Sequence, residues 1–323
     1  MSSSTFGSFE IGRRAIHAQQ KGVQVTGQNI ANANTEGYSR QVVHMKALVP
    51  PAVPGVVTPP GYGVDISDIE RMKSEFYGEQ IRKAITAQHY WDRLGQTMDG
   101  IESIFQEPGE NSVNIYLNEF FDAWQEISVN PESYAARISL REQAVSLTGL
   151  VRDIYGRLDE FKHDVEKELE TAVKQVNSIA EEIAELNEKI TYLGALGKKS
   201  NELLDERDLC LQKLSEFVNI RVIERANGSV EVLAGGRLLL HDDRSFPLEM
   251  KTISGDNDET GQLVASVTNS LGAELAVEGG ALAGMLESYN EVLPYYQGGL
   301  NDLVSTLVEK VNEIHRQGYG LDG

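Results

Sequence analysis

The sequence predicts a mainly α-helical protein with one small β-module, built as an elongated antiparallel helical bundle. Three observations carry this. An apolar seam runs through Leu140, Ala144, Leu147, Val151, Ile154, Leu158, Phe161 and Val165, then Leu169, Ala172, Val176, Ile179, Ile183, Leu186, Ile190 and Leu193. Its steps alternate three and four, the spacing of a coiled-coil face, except for two adjoining fours at Val165–Leu169, a stutter that relaxes supercoiling. At 1.5 Å per residue this seam spans about 80 Å, too long for a small globule to cover. Second, Gly194-Ala195-Leu196-Gly197 interrupts it and another helical period follows at once, so the two helices must lie antiparallel. Third, the period changes to two across 220–240, with Asn227-Gly228 between alternating apolar runs, a strong hairpin signal.

Taken in chain order, the first element is a thin N-terminal helix. Ile11, Ala15, Ala18, Gly22, Val25 and Asn29 recur at steps of four and three, a seam of small residues that asks for partner helices at close range. It ends where Asn32, Asn34 and the Gly37-Tyr38 step favour turn and left-handed backbone. Residues 38–72 form an extended arm: five of the nine prolines (Pro50, Pro51, Pro54, Pro59 and Pro60) lie there and forbid regular helix. A helix over 73–105 carries Trp91, Leu94, Met98, Ile101 and Phe105 on one face and stops at Pro108-Gly109. A shorter one follows with Val113, Leu117, Phe120, Trp124 and Ile127 inward, and both tryptophans read as core residues.

The long helix, about 130–193, is expected to open with Asn130 as N-cap and Pro131 in its first turn. The return helix directs Leu204, Arg207 (through its aliphatic stem), Leu211, Leu214 and Val218 inward, and Arg207 is expected to pair with Asp205 or Asp208. The β-hairpin insertion covers about 220–270, with Leu263, Ala265 and Val267 adding a strand after the acidic stretch 256–259. From Leu282 a helical seam resumes through Leu286, Tyr289, Leu293, Tyr296, Leu300, Leu303, Leu307, Val311 and Ile314, with Pro294 as a kink or a fresh start. The implied units are 1–37, 38–72, 73–219, 220–275 and 276–323.

Composition excludes several functions. The chain has 323 residues, 49 acidic against 29 basic, and a net charge of −20 with no dense Lys/Arg block, which argues against a nucleic-acid partner. No segment is apolar and long enough for a signal peptide or a membrane span. One cysteine, Cys210, on a helix, reads as a small buried apolar residue and rules out an intrachain disulfide.

No chemistry-bearing constellation stands out. The six histidines (17, 44, 89, 163, 241 and 315) are scattered, without metal-ligand spacing. Gly318, Gly320 and Gly323 spell G-x-G-x-x-G but follow a helix instead of a strand. The stretch 256–261 begins like a calcium loop, yet its twelfth position is Val267, which cannot ligate. Asn227-Gly228-Ser229 is a formal glycosylation sequon better explained by a hairpin turn. The expectation is no catalytic residue, no cofactor and no metal.

The segment N-I-A-N-A-N-T-E-G-Y-S-R-Q, through Asn29, Ile30, Ala31, Asn32, Asn34, Thr35, Gly37, Tyr38 and Arg40, closely resembles the N-terminal signature of bacterial flagellar axial proteins, the rod, hook and hook-associated subunits. Further resemblances follow in order: Gly61, Gly63, Val64, Ile66, Ile69 and Arg71 in the arm; Asn130, Pro131 and Arg137; Asn201, Leu203, Leu204, Asp205, Arg207 and Asp208; and Asn312, His315, Gly318 and Gly323. The continuation Ser39-Arg40-Gln41, the long uninterrupted seam and the set Asn201, Leu203, Leu204, Asp205, Arg207 and Asp208 resemble the hook-associated subunits of the hook–filament junction. Asn290 departs from the pattern, which would place an arginine after the aromatic Tyr289.

The resemblance implies a structural, non-enzymatic subunit of the extracellular flagellum, exported by the flagellar apparatus without a cleaved signal. Its partners would be its own copies, the hook subunit and the second junction protein. It further implies assembly roles for the signature residues and helix packing for Leu204, Asp205, Arg207 and Asp208. Family members also carry a C-terminal helix that pairs with the N-terminal one; none follows here, so the chain corresponds to an N-terminal portion. The alternatives are another axial subunit or a cytosolic coiled-coil scaffold.

Overall fold

One helix organises the molecule. In the computed structural model, which describes residues 3–48, 62–106, 109, 112–254 and 263–318, the long seam forms a continuous helix, Tyr134–Ala195. The elements in chain order are α1 (Ser3–Ala31), β1 (Gln41–Ala47), β2 (Val64–Arg71), α2 (Glu75–Phe105), α3 (Val113–Val129), α4 (Tyr134–Ala195) and α5 (Asn201–Phe217). Six strands follow: β3 (Ile220–Glu224), β4 (Val230–Ala234), β5 (Arg237–His241), β6 (Arg244–Ser245), β7 (Leu248–Ser254) and β8 (Leu263–Asn269). The last elements are α6 (Gly280–Glu287), a π-helical turn (Ser288–Val292) and α7 (Leu293–His315). With 62 residues α4 is about 93 Å long. The accessible surface of 20550 Å² exceeds the roughly 13,000 Å² of a globular monomer of 35.6 kDa, as an elongated bundle requires.

The core follows the seam. Leu158, Val165, Leu169, Val176 and Ile183 are fully buried, and the stutter at Val165–Leu169 costs no burial. Against them pack Leu211 and Leu214 of α5, Val232, Ala234, Leu239 and Leu240 of the sheet, and Leu282 and Leu293 of the last helices. The turn from α4 to α5 closes as a Schellman motif. Gly197 adopts φ +70°, its N–H donates to Gly194 O, and Lys198 N–H donates to Leu193 O, satisfying two end carbonyls.

The β-module comprises a four-stranded antiparallel meander, β3-β4-β5-β6, and a separate β7-β8 ribbon. Asn227-Gly228 turns the first hairpin, with Gly228 at φ +88° and Asn227 Oδ1 accepting from Ser229 N–H. Strand β7 has no counterpart in the sequence reading. It is the register partner of β8, from Leu248↔Asn269 to Ser254↔Leu263. The acidic stretch 255–262 and the terminal 319–323, with the calcium-like and glycine-rich motifs they carry, lie outside the described residues.

Several expectations need correction. Asn130 does not cap α4; it ends α3, its N–H bonding Glu126 O, while Ser133 Oγ accepts from Ala136 N–H and α4 starts at Tyr134. A hydroxyl three residues on offers the free cap once Asn130 is committed to the preceding helix. Arg137 instead donates to Pro131 O and braces the turn. Helix α2 does end at Phe105 as expected, with Gln106 left-handed at φ +54° and bonded to Glu102 O. Trp91 is not core: it is 67% exposed and stacks edge-on against Tyr90. Trp124 is half-buried, edge-on to Phe120. Pro294 lies in the first turn of α7, just after the π-helical turn, which is the fresh start the sequence allowed.

Among the described residues, the seam of α1 packs chiefly on strands instead of another helix. It lies on the antiparallel β1–β2 ribbon, burying Ala18 and Val25, with Gly22 facing Met45 and Ile11 against Gly63. Small residues let helix and ribbon approach closely. A second row on the same helix, Phe9, Ile16, Val23 and Ile30, recurs every seven residues and stays 62–78% exposed.

Candidate functional site

The signature turn, the arm and the return helix converge at one polar site. Asn29, near the end of α1, closes the turn by itself: its Oδ1 accepts from Tyr38 Oη–H (2.9 Å) and Gln41 N–H (2.9 Å), and its Nδ2 donates to Gln41 O (2.8 Å). An aspartate could not supply that last donor. Asn32 Oδ1 accepts from Thr35 Oγ1, and Asn32 O accepts from Thr35 N–H, shaping the bend between them. Gly37 then reverses the chain at φ +78°, where a Cβ would lie 3.2 Å from Leu209 Cβ of α5. The positive φ therefore favours glycine, and any added Cβ would also press on Leu209.

Beyond the turn, Ser39 N–H donates to Asp205 Oδ2 (3.1 Å). Arg71, at the end of β2, bridges Asp205 Oδ1 (2.8 Å) and Asp208 Oδ2 (2.7 Å), and Lys73 also pairs with Asp208. Burial alone would lower the pKa of Arg71, but the two carboxylates outweigh it and raise the value. Burial and the nearby Asp205 and Glu202 carboxylates raise that of Tyr38. Asn201 Nδ2 donates to Ile69 O, and Lys199 pairs with Asp68 (2.7 Å), lowering that carboxyl's pKa. The arm is thus fastened to the tip of the α4–α5 hairpin through side chains of both partners.

Arg207 faces the other way. It does not pair with Asp205 or Asp208; it donates to Asn187 Oδ1 (3.1 Å) and Gly228 O (2.7 Å) and is 2% exposed. Residues 205 and 208 sit three apart on the arm side of α5, whereas 207 is turned some 200° from 205 toward the β-module. Desolvation lowers its pKa. Asn187 joins the same clamp, donating to Val230 O and Asp242 O and accepting Val230 N–H. One short helix therefore ties the arm on one face and the first β-hairpin on the other. Leu204 is half-buried on it, and Cys210 is buried, its thiol pushed up to about 12 by desolvation.

Not every signature residue enters the site. Ile30, Ala31, Asn34 and the Arg40 side chain face solvent, with Arg40 contributing only its carbonyl to Met72 N–H. Sequence reasoning missed Lys73 and Asn187 and saw in Ser39 only part of the pattern, not its bond to Asp205. Asn187 alone left a signal: an amide beside Leu186 on the inward face of the α4 seam, 1% exposed, needs a built set of partners. Among the described residues no group of three or more acidic, histidine or cysteine side chains could hold a metal.

A helical rod with an N-terminal helix–ribbon unit fastened by side chains describes a structural assembly protein, and comparisons with known proteins agree. The family described as flagella basal body rod protein matches residues 9–38, and the flagellar hook-associated protein FlgK helical domain matches residues 98–323. The chain belongs to the flagellar hook-associated protein FlgK family. It is 28% identical over 350 residues to flagellar hook-associated protein 1 of Bacillus subtilis, covering 99% of the chain and 69% of that protein. It is 27% identical over 320 residues to the proteins of that name from Salmonella typhimurium and Escherichia coli, covering 95% of the chain and 56% and 57% of theirs. The fold resembles that of the flagellar hook junction protein FlgK from Burkholderia pseudomallei, with a TM-score of 0.54 and 24% identity over 65% of this chain and 38% of that one. This family is structural.

Proposed function

We propose that the protein is a structural subunit of the hook–filament junction, exported through the flagellar secretion channel without a cleaved signal and required for filament attachment. Its neighbours in this reading are its own copies, the hook subunit and the second junction protein. The observation that carries it is the fastening of α1 and its ribbon to the α4–α5 tip while the row Phe9, Ile16, Val23 and Ile30 stays uncovered. A heptad row of large apolar residues on a secured helix is a surface built for burial in an assembly. The signature residues Asn29, Asn32, Thr35, Gly37 and Tyr38 would act by setting the angle at which that helix is presented.

A rod or hook subunit is the second reading, because the 9–38 match is to a rod protein. The match over 98–323 favours the junction. Deleting the full-length gene tests the choice: hooks without filaments, with filament protein released into the medium, is the expected phenotype. Normal filaments on the deletion strain would refute it, and loss of the hook itself would transfer the protein to the rod or hook.

A further inference from the structure

A cleft of about 670 Å³ opens between α2 and the outer face of the β3–β4 hairpin, far in the sequence from the signature turn. Its α2 wall presents Arg82, Tyr90 and Trp91, and its opposite wall Arg221 and Leu233, which are register partners on adjacent strands. Trp, Tyr and Arg in a concavity are the composition of interface hot spots. Trp91 is 67% exposed, whereas a tryptophan on the apolar face of a bundle helix would ordinarily be covered.

The charges are as informative as the rings. The chain carries −20 overall, yet neither Arg82 nor Arg221 has a carboxylate within ion-pairing distance among the described residues. Of the other charged residues lining the cleft, Glu79 is taken by Lys83 at 2.6 Å, leaving Glu278 as the remaining acid. Partial burial lowers the pKa of Arg82, outweighing the surrounding carboxylates of Asp208, Glu79, Glu75 and Glu224, none of which forms an ion pair with it. Tyr90 is held in place by donating to Glu287 Oε2 (2.5 Å), which fixes the ring under Trp91. With Arg82, Lys83 and Arg221 against Glu79 and Glu278 on its walls, and both arginines free of an ion pair, the aromatic-walled cleft offers two guanidinium groups to a carboxylate-bearing chain.

We propose that this cleft is a docking site for an acidic segment of a second protein, with carboxylates on Arg82 and Arg221 and an apolar side chain against Trp91. The site is independent of the hook–filament reading, since it uses neither the signature turn nor α1.

The test uses the whole chain and, as probe, a blocked heptapeptide alternating glutamate and leucine. The two tryptophans report binding, with Trp91 exposed in the cleft and Trp124 half-buried beside Phe120. The expected result is a saturable fluorescence change that disappears in Trp91→Phe, weakens at least about tenfold in Arg82→Ala/Arg221→Ala, and is lost in roughly 0.5 M salt. Arg82→Lys, which keeps the charge, retains most of the binding; a melt by circular dichroism establishes that each variant is folded. No saturable response, equal response to the lysine–leucine counterpart, or unchanged binding in the double alanine variant would overturn the proposal. Concentration-dependent dimers of the protein alone, abolished by the same double variant, would also overturn it and make a second copy the occupant.

Discussion

Helix α1 and the middle of α4 are both long and both carry an apolar period, but they bury very different amounts. Between Ile154 and Ile183, α4 encloses six large aliphatic side chains at 2% exposure or less. Among its described residues α1 buries Ala18 and Val25, and its largest apolar residues face outward. Ala and Val contribute a fraction of what Leu and Ile do at about 25 cal/mol per Å². Helix α1 also contains Gly7, Gly12, Gly22 and Gly27, each weakening a helix by up to about 1 kcal/mol relative to Ala. The rod is held by its own core, whereas α1 is held at its end by directed polar contacts and leaves a row of large apolar residues uncovered. Under the export proposed above, that division would keep one part folded and the other conditional.

The contrast breaks first at the core. Leu169→Ala should lower global stability by about 2–5 kcal/mol in urea titration, while Val23→Ala changes it by less than about 0.5 kcal/mol. Equal effects would mean that α1 is as integrated as α4. Next in size is the fastening. Arg71→Ala leaves Asp205 and Asp208 without their bridge and should weaken docking of the arm by about 2 kcal/mol. The readout is faster proteolytic cleavage in residues 38–72, with the unfolding midpoint of the bundle nearly unchanged. A fall of the global midpoint equal to that of Leu169→Ala would show that the site holds the core as well.

Gly37→Ala should loosen the same docking by about 1–2 kcal/mol, because alanine at φ +78° is strained and its Cβ meets Leu209. Adding Leu209→Ala removes the Cγ and Cδ2 contacts but leaves the nearest one, to Cβ, and the backbone strain, so at most a small rescue is expected; full rescue would contradict both causes. The smallest change sharpens the comparison from the other side. Gly12→Ala and Gly27→Ala have open space around the added methyl and should each favour α1 by about 0.5–1 kcal/mol, read as increased helicity. No gain would mean that the helix is already saturated.

The rod was legible because its signals are local and repetitive. The seam from Leu140 to Leu193, the Gly197 stop and the Asn227-Gly228 turn each specify their element without tertiary help. The signature residues were recognisable as a pattern, but what they touch was not. Asn29 bonds residues nine and twelve positions away, and Arg71 reaches across more than 130 residues to Asp205 and Asp208. Such pairings depend on which face of α5 meets the arm. That face also decided against Arg207, whose partners, Asn187 and the Gly228 carbonyl, belong to other elements. Strand β7 was hidden because Leu248, Met250 and Thr252 alternate too weakly with their polar neighbours to mark a strand unaided; β8 supplies the ladder. Asn290, where the flagellar pattern would have an arginine, holds that ladder in place by accepting from Ala265 N–H and donating to Ala265 O.

The most direct test of the conditional helix is native-state amide exchange on the isolated protein, comparing residues 15–30 with residues 179–190. Protection across 179–190 should approach that of global unfolding, while 15–30 should exchange through local opening orders of magnitude faster, with residues nearest Asn29 the slowest of the segment. Equal protection in the two segments would contradict the division between a self-sufficient rod and a helix completed only by its neighbours.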